Sequence, residues 1–352
     1  MLPLYLKFPV SLDMARIRIE PYQEHHFSAL CAFAARTWPT RCRSPEFLRW
    51  RYQDPRSLIG ATVAMRGEEV VASLSWARRR WWLRGEPVEA QETFDWFTLP
   101  ELRGGGLGIR IIRAVMTQGP VAAVGGTADT LALLPRLGFT RVGEVAQLAL
   151  PLTSRGLPAR VGRLGLAADG ALAAWRRGAA LGAGGGLLRP LTALPLQDAP
   201  SPGLELVQIP EASVLDWLSE GPGAGLYASF AGEGGSASWS QVRVFDRGYV
   251  RTAAITEWLP STSSPTGLRR HLSAMVRYSR GLGADRVLLS TSNRDIVRAA
   301  RWSGWRLVRQ IPFHTHQLGG DVGPWHVGGT TGDSAWLPNP DRATSHPNLE
   351  TL

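Results

Sequence analysis

The chain has 352 residues, of which 44% are hydrophobic and 19% charged, a composition typical of a globular protein long enough for two domains. Its formal net charge of +10 comes from arginine, because Lys7 is the only lysine, and it favours anionic partners. Two classes of function are disfavoured: no arginine and aromatic repeat indicates a nucleic-acid platform, and no apolar run approaches the ~20 residues of a membrane span.

The N-terminal region has no signal-peptide pattern, since no charged start precedes a long apolar core. We expect residues 1–13 to be a disordered leader or a misassigned start. Cys31 and Cys42 are too few for a disulfide framework or a zinc site, so we expect two reduced thiols in a cytoplasmic protein.

Residues 14–151 alternate between strand-like and helix-like patterns and are predicted to form a first domain. The predicted elements are a strand at 16–20, helices at 24–37 and 45–52, strands at 60–66, 70–80 and 88–99, a helix at 109–116, a strand at 121–124, a helix at 128–137 and a strand pair within 139–150. This order predicts a mixed sheet flanked by helices.

A glycine-rich turn, Arg103 to Gly108, separates the strand ending at Leu99 from the helix beginning at Ile109. Such a turn presents backbone N–H groups at the positive end of the helix dipole, where they bind phosphate. Glycine permits positive φ and lets phosphate oxygens approach the main chain. A Walker loop would need Lys-Ser/Thr after the last glycine, and the glycine spacing of a dinucleotide fingerprint is also absent.

The spacing of Arg103, Gly106 and Gly108 resembles the acetyl-CoA pyrophosphate loop of the GNAT superfamily of N-acetyltransferases. About thirty residues on, 134–139 (Leu-Pro-Arg-Leu-Gly-Phe) looks like the aromatic-x-x-Leu-Gly-Phe segment that follows the fifth strand in that superfamily. The cofactor-binding residues that this resemblance implies are Phe97, Thr98 and Leu99 beside the pantetheine arm, Arg103, Gly104, Gly105, Gly106, Leu107 and Gly108 at the pyrophosphate, and Thr127.

Some of these residues have a second explanation. Helix capping accounts equally well for Thr127 and Thr130. Arg110 and Arg113 either reach CoA phosphates or belong to a solvated helix face.

Acetyl transfer to an amine needs a held thioester, a polarised carbonyl and an uncharged amine. Asp95 is the first candidate for the catalytic base and Glu92 the second, and strand alternation places them on opposite faces. The alternative is a structural acid paired with an arginine. The tyrosine with which many members of the superfamily protonate the leaving thiolate corresponds to Leu134, so another group or solvent takes that role, or the lobe has lost catalysis.

The aromatic segment 45–55 resembles bacterial tandem acyltransferases that are sometimes linked to surface polysaccharides. Trp50 and Tyr52 are therefore candidates for stacking on a sugar or aromatic acceptor, with core packing as the alternative. His314 and His316 lie on one face of a strand, as metal ligands do, but no third ligand stands at a recognisable spacing and no metal is implied.

The remaining chain is predicted to be a second, degenerate copy. Residues 152–203 are predicted to be a linker with an amphipathic helix, which packs between the lobes or lies on a membrane surface. Residues 204–320 weakly repeat the first domain, and 321–352 form a tail. The segment 263–267 replaces the glycine turn, so we expect no CoA binding in this half.

These patterns favour an α/β (α+β) fold of two GNAT-like lobes, each a mixed, mainly antiparallel twisted sheet flanked by helices. The resemblance implies an acyl-CoA-dependent N-acetyltransferase, with acetyl-CoA as co-substrate and a small-molecule or glycan amine as acceptor. The alternatives are a Fem-type aminoacyl transferase, for which a pyrophosphate-binding turn has no use, and a non-catalytic acyl-CoA-binding protein.

Overall fold

The computed structural model describes residues 16–38, 44–157, 170, 189–191, 203–222, 226–231, 239–247, 249–259, 264–319 and 322–328. The leader, Cys42, most of the amphipathic helix predicted between 152 and 203, and the tail beyond 328 lie outside these residues.

The first half of the chain contains four α-helices and six strands within the described residues. In chain order they are β1 (Ile17–Pro21), α1 (Phe27–Thr37), α2 (Pro45–Tyr52), β2 (Ile59–Arg66), β3 (Glu69–Leu83), β4 (Glu86–Thr98), α3 (Leu107–Met116), β5 (Val121–Val124), α4 (Ala128–Leu133) and β6 (Thr140–Pro151). Local chemistry sets several boundaries. Ser44 accepts a hydrogen bond from the Phe47 N–H ahead of Pro45 to start α2, and Thr127 caps α4 in the same way.

The second half contributes the remaining described elements. They are β7 (Arg189–Leu191), β8 (Leu206–Gln208), α5 (Ala212–Glu220), β9 (Leu226–Ala231), β10 (Trp239–Arg247), β11 (Val250–Leu259), α6 (Pro265–Gly281), β12 (Arg286–Thr291), α7 (Arg294–Trp302), β13 (Arg306–His316) and β14 (Trp325–His326).

One sheet runs through both halves, in the order β1-β2-β3-β4-β5-β13-β6-β12-β11-β10-β9-β7, and β8 joins β3 to β14 beside this path. Neighbours are mainly antiparallel, with parallel pairs at β4–β5, β11–β12 and β8–β14. The predicted fold class, a mixed and mainly antiparallel sheet with flanking helices, is confirmed.

The two halves exchange a strand. β13 from the second half lies between β5 and β6, and β6 from the first half lies between β13 and β12. The prediction of a strand pair within 139–150 is therefore wrong. Those residues form the single strand β6, because both of its neighbours come from the second half.

Buried side chains join the halves as well. Near the middle of the sheet Phe313 stacks between Trp81 and Trp325, with ring centroids 5.9 and 5.0 Å apart. Both halves of the chain contribute to this cluster and to the sheet, so the boundaries predicted at 151 and 204 do not separate two sheets.

Candidate active site

The strands β4 and β5 separate partway along their length. They pair in parallel only from Gln91 opposite Val121 to Thr93 opposite Ala123. β5 ends at Val124, whereas β4 continues to Thr98. Past Thr93 no other described strand pairs with this side of β4, which leaves space there for an extended ligand. At the end of the strand the Leu99 N–H donates to the Val71 carbonyl at 3.0 Å.

A β-bulge lies at the point of separation. Between the pairs Ser73–Phe97 and Ser75–Phe94, β4 has one residue more than β3. Asp95 lies inside this interval with a left-handed φ of 50°. A bulge bends its strand and increases the local twist, which accounts for the divergence of β4 from β5.

The glycine turn follows the open part of β4. After a short 3-10 turn at Pro100–Leu102, Gly104 and Gly106 have φ values of 82° and 79°, and a Cβ on either would meet no atom within 4 Å. Gly106 is the N-cap of α3 and no side chain caps this helix. The Arg110 N–H makes the first helical bond, to the Gly106 carbonyl at 3.1 Å, so the N–H groups of the first turn of α3 have no intrahelical partner and can meet an anion. The Gly105 N–H, in contrast, donates to the Leu102 carbonyl at 3.4 Å.

Polar contacts hold the turn in place. Arg103 Nε donates to the Thr98 carbonyl at 3.3 Å, which ties the turn to the end of β4. The two Nη atoms of Arg36 donate to Glu69 at 2.6 Å and to Glu101 at 2.8 Å. The structure therefore brings the start of the predicted motif next to the predicted pantetheine-binding strand.

The helix α3 is packed closely against β4. A Cβ on Gly108 would lie 3.3 Å from Nε1 of Trp96, so this glycine allows the indole to approach the helix. Arg110 donates to the Ile17 carbonyl at 3.0 Å and Arg113 is exposed. Thr127 accepts from the Thr130 N–H at 3.3 Å as the cap of α4, so capping explains both threonines.

Asp95, the first candidate base, is buried in an ion pair. Its Oδ2 lies 2.6 Å from Nη1 of Arg51, and the two side chains are 7% and 0% exposed. The guanidinium also lies over the ring of Phe94 at 4.5 Å and over those of Phe47 and Trp38 at 5.3 and 5.8 Å. Arg51 therefore fastens the bulge of β4 to α2.

Glu92, the second candidate base, belongs to another buried network. Its Oε2 lies 3.7 Å from Nη1 of Arg79, with both side chains fully buried, and accepts a hydrogen bond from Gln208 Nε2 at 3.0 Å. Arg79 Nε lies 3.8 Å from Oε1 of Glu211, next to the start of α5. The second half thus supplies two of the groups around Glu92.

No role for Arg51 or Arg79 is predicted from the sequence, although the sequence pattern around each of them indicates burial. Arg79 shares a strand face with Ala77 and Trp81, both buried. Arg51 follows Phe47 by four residues and so lies on the buried face of α2. A charged residue in an apolar register indicates a buried ion pair when a carboxylate is near.

Trp50 is placed between helices. It stacks on Trp217 of α5 with centroids 4.1 Å apart and 6° between the ring planes. Each indole N–H donates to the main-chain carbonyl of the other tryptophan at 3.2 Å. Packing between α2 and α5 accounts for this residue, and its role in acceptor binding stays a prediction.

Tyr52 lies nearer to the bulge. Its hydroxyl is 2.5 Å from Ser75 Oγ, and Ser75 is opposite Phe94 in the β3–β4 pairing. The ring lies 5.4 Å from that of Tyr22 and 6.2 Å from that of Trp38. Burial raises the pKa of Tyr22 to about 12, so this phenol stays protonated at neutral pH.

His314 and His316 lie on β13, which pairs with the side of β5 that faces away from β4, and Leu134 starts the 3-10 turn after α4. Leu134 is 1% exposed within the core. His316 Nδ1 is 3.2 Å from the Gly138 carbonyl, and burial lowers the pKa of His314. Among the described residues no three His, Cys, Asp or Glu side chains come together as metal ligands would.

In the second half β11 and β12 also separate partway along their length, but residues 325–328 of the same chain lie beside this opening. β11 and β12 pair only as far as Ile255 opposite Leu289. Ser292 Oγ, just past β12, donates to the Trp325 carbonyl at 3.1 Å and accepts from the Val327 N–H at 2.9 Å. On the β11 side the Glu257 carboxylate is packed so closely on Gly328 that a Cβ there would overlap it.

No family model matches this sequence, and no curated protein sequence matches it. Solved structures do. A GCN5-related N-acetyltransferase from Anabaena variabilis is 12% identical with a TM-score of 0.58, and the match covers 86% of this chain and 73% of that one. A probable N-acyltransferase from Enterococcus faecalis is 12% identical with a TM-score of 0.55, covering 86% and 72%.

A Saccharomyces cerevisiae N-myristoyltransferase with bound myristoyl-CoA is also similar. It is 12% identical with a TM-score of 0.56, and the match covers 90% of this chain and 84% of that one. Within the part of the chain that the structure describes, no helix has the length and hydropathy needed to cross a bilayer.

Proposed function

Because the chain has the fold of the GCN5-related N-acetyltransferases, we propose that it is an acyl-CoA-dependent N-acyltransferase that binds its donor in the first half. One observation carries this proposal: the open edge of β4 leads directly into an uncapped glycine turn at the start of α3. The donor needs both parts, an extended main-chain edge for its pantetheine arm and N–H groups for its pyrophosphate.

The donor would lie along β4 as an added strand. Its amides would bond to the main chain at Phe97, Thr98 and Leu99, where the Leu99 carbonyl rather than its N–H would take part, because that N–H donates to Val71. Its pyrophosphate would meet the N–H groups of Gly104, Gly106, Leu107 and Gly108, since the Gly105 N–H donates to Leu102. The open space at Gly104 and Gly106 supports this arrangement, since a phosphate oxygen needs close access to the main chain.

Two features favour the first half over the second as the donor site. The ends of β11 and β12 are contacted by residues 325–328, as the hydrogen bonds of Ser292 show. In addition, α6 begins at Pro265 behind Ser264, and none of the described residues there is a glycine with positive φ.

In the proposed reaction an uncharged amine attacks the thioester carbonyl, the C–N bond forms, the C–S bond breaks and CoA leaves as the thiolate. We propose acetyl as the acyl group and a small-molecule or glycan amine as the acceptor. Main-chain N–H groups at the bulge would polarise the carbonyl. Solvent would protonate the thiolate, since Leu134 offers no hydroxyl.

The buried ion pairs bear on the roles of the two acids. If Asp95 accepted the amine proton, Arg51 would remain charged and buried without its counter-ion, which is costly. The same holds for Glu92 and Arg79. We therefore propose that both carboxylates position β4, and that water accepts the amine proton; this replaces the catalytic role predicted for them.

Titration calorimetry with acetyl-CoA tests donor binding. Gly106→Glu places a carboxylate where the pyrophosphate would lie, and we expect it to abolish measurable affinity. Gly67→Glu is the matched control, because Gly67 also has positive φ, at 59°, and a Cβ on it would likewise meet no atom within 4 Å, but it lies in the β2–β3 turn. Equal affinity in the wild type and Gly106→Glu would refute the proposed site.

The acyl group and turnover need separate measurements. A series of acyl-CoAs from acetyl to myristoyl, in the same calorimeter, would show which chain length binds best. Release of free CoA thiol with a panel of amines measures transfer. Binding without thiol release across that panel would favour the non-catalytic alternative.

A further inference from the structure

The large hydrophobic side chains that are exposed among the described residues all belong to the second half. They are Tyr249, Trp302 and Leu307, with 75%, 59% and 42% of their surfaces accessible. Single exposed apolar residues are ordinary, so the question is whether these three share one face of the protein.

Strand direction places these three residues towards the same end of the sheet. β11, β12 and β13 run in the same direction, because β11 is parallel to β12 and both β12 and β13 are antiparallel to β6. Tyr249 immediately precedes β11, and Trp302 and Leu307 flank the start of β13. Three strand spacings, roughly 14 Å, separate β11 from β13. The register puts Leu307 level with Ile255, six residues or about 20 Å beyond Tyr249 along the strands, so the three residues mark a broad face and not one compact patch.

Arginines surround this group, which we call the aromatic edge (Tyr249, Trp302 and Leu307). Five exposed arginines lie in the turns and strand starts at this end of the sheet. They are Arg155, Arg251, Arg280, Arg301 and Arg306. None of the five forms an ion pair with another described residue.

Few acids offset this charge. Asp285 is buried and accepts hydrogen bonds from Thr153 Oγ1 at 2.6 Å and from the Arg251 N–H at 2.9 Å. Asp246, opposite Arg251 in the β10–β11 pairing, is exposed. The surface around the aromatic edge therefore has a net positive charge, which comes from the five arginines.

We propose that the aromatic edge is a docking surface for an anionic lipid bilayer. Tryptophan and tyrosine favour the interface between water and lipid, and arginines close to them attract acidic head groups. Leu307 and the apolar part of Trp302 would enter the head-group layer. A nucleic acid would use the arginines but has no use for an exposed leucine, so lipid fits the whole set better.

Co-sedimentation of the full chain with vesicles tests this surface. Vesicles of phosphatidylcholine with about one third phosphatidylglycerol should bind the protein, whereas pure phosphatidylcholine should bind it far less. The double variant Arg301→Glu with Arg306→Glu should weaken binding at least about thirtyfold, since each arginine contributes about 1 kcal/mol near such a surface. Trp302→Ala with Leu307→Ala should weaken it about tenfold.

The matched control is Arg16→Glu with Arg18→Glu, which makes the same charge change beside and within β1, at the far end of the strand order. It should bind vesicles nearly as well as the wild type, and far-ultraviolet circular dichroism should show all variants folded. The proposal fails if the wild type ignores anionic vesicles, or if both arginine pairs matter equally. It also fails if the Trp302 variant changes only self-association, or if single-stranded RNA binds and vesicles do not.

Discussion

The buried pair of Arg51 and Asp95 allows a quantitative test of what holds the bulge of β4. In Arg51→Met the carboxylate would stay in a site that is 7% exposed, with no cation 2.6 Å away. Breaking a buried pair in this way costs about 3–5 kcal/mol, a large part of the roughly 5–15 kcal/mol that stabilises a typical fold. We therefore expect the free energy of unfolding to fall by at least about 3 kcal/mol.

Removing both charges should restore much of this loss. In Arg51→Met with Asp95→Asn no charge is left in the buried site, so the double variant should be more stable than Arg51→Met alone. Urea unfolding followed by circular dichroism gives the coupling free energy from the full cycle. Arg298→Met is the control, because Arg298 pairs with Asp295 at 3.5 Å on the surface, where such pairs contribute at most about 1 kcal/mol.

The same variants separate positioning from catalysis. If Asp95 only holds the bulge, the double variant should bind acetyl-CoA and transfer acyl groups with an unchanged pH dependence. If Asp95 is the base, kcat should collapse even where stability is restored, and the acidic limb of the pH–rate profile should disappear. A coupling free energy near zero would refute the reasoning from burial itself.

Two further predictions concern packing and pH. Gly60→Ala should destabilise the protein by about 1–3 kcal/mol in urea unfolding, because the new Cβ would overlap the indole of Trp76. Gly281→Ala, at the end of α6 with no atom within 4 Å, should be neutral or stabilise by up to about 1 kcal/mol. Burial lowers the pKa of His271 and of His326 to about 4, whereas a histidine of the unfolded chain titrates near pH 6.5. The unfolded state therefore takes up protons first as the pH falls below 6.5. The free energy of unfolding should be highest above pH 6.5 and should decrease as the pH falls towards 4. The loss should reach about 3 kcal/mol per histidine, and the curve of unfolding free energy against pH should be flatter in that range for His271→Gln.

The parts of the site that depend on local sequence could be predicted. The glycine turn is specified by residues that need positive φ, at Gly104 and Gly106, followed directly by an apolar helix. The start of α2 is set by Ser44 and Pro45, and that of α4 by Thr127. Each of these signals involves residues within four positions of one another, so the chain itself carries the information.

The parts that depend on distant contacts could not. Alternation in 140–151 shows which side chains face the core but not which strands lie beside them, so it does not reveal the exchange of β6 and β13. The local sequence leaves open whether Trp50 packs in the core or binds an acceptor, and it cannot reveal the stacking partner, because Trp217 lies 167 residues away. The ion pair of Arg79 with Glu92 depends on the β3–β4 register, which a bulge shifts at the site itself.

The strand exchange also gives the second half a structural role at the candidate site. β13 pairs with β5 up to Phe313 opposite Val124, and the Pro312 carbonyl accepts from the Gly125 N–H at 2.8 Å. These contacts set where β5 ends and therefore how wide the opening beside β4 is. Gln208 and Glu211 hold the Glu92 network from the other side. The second half, whose described residues show no glycine turn ahead of α6, thus still shapes the proposed donor site of the first half.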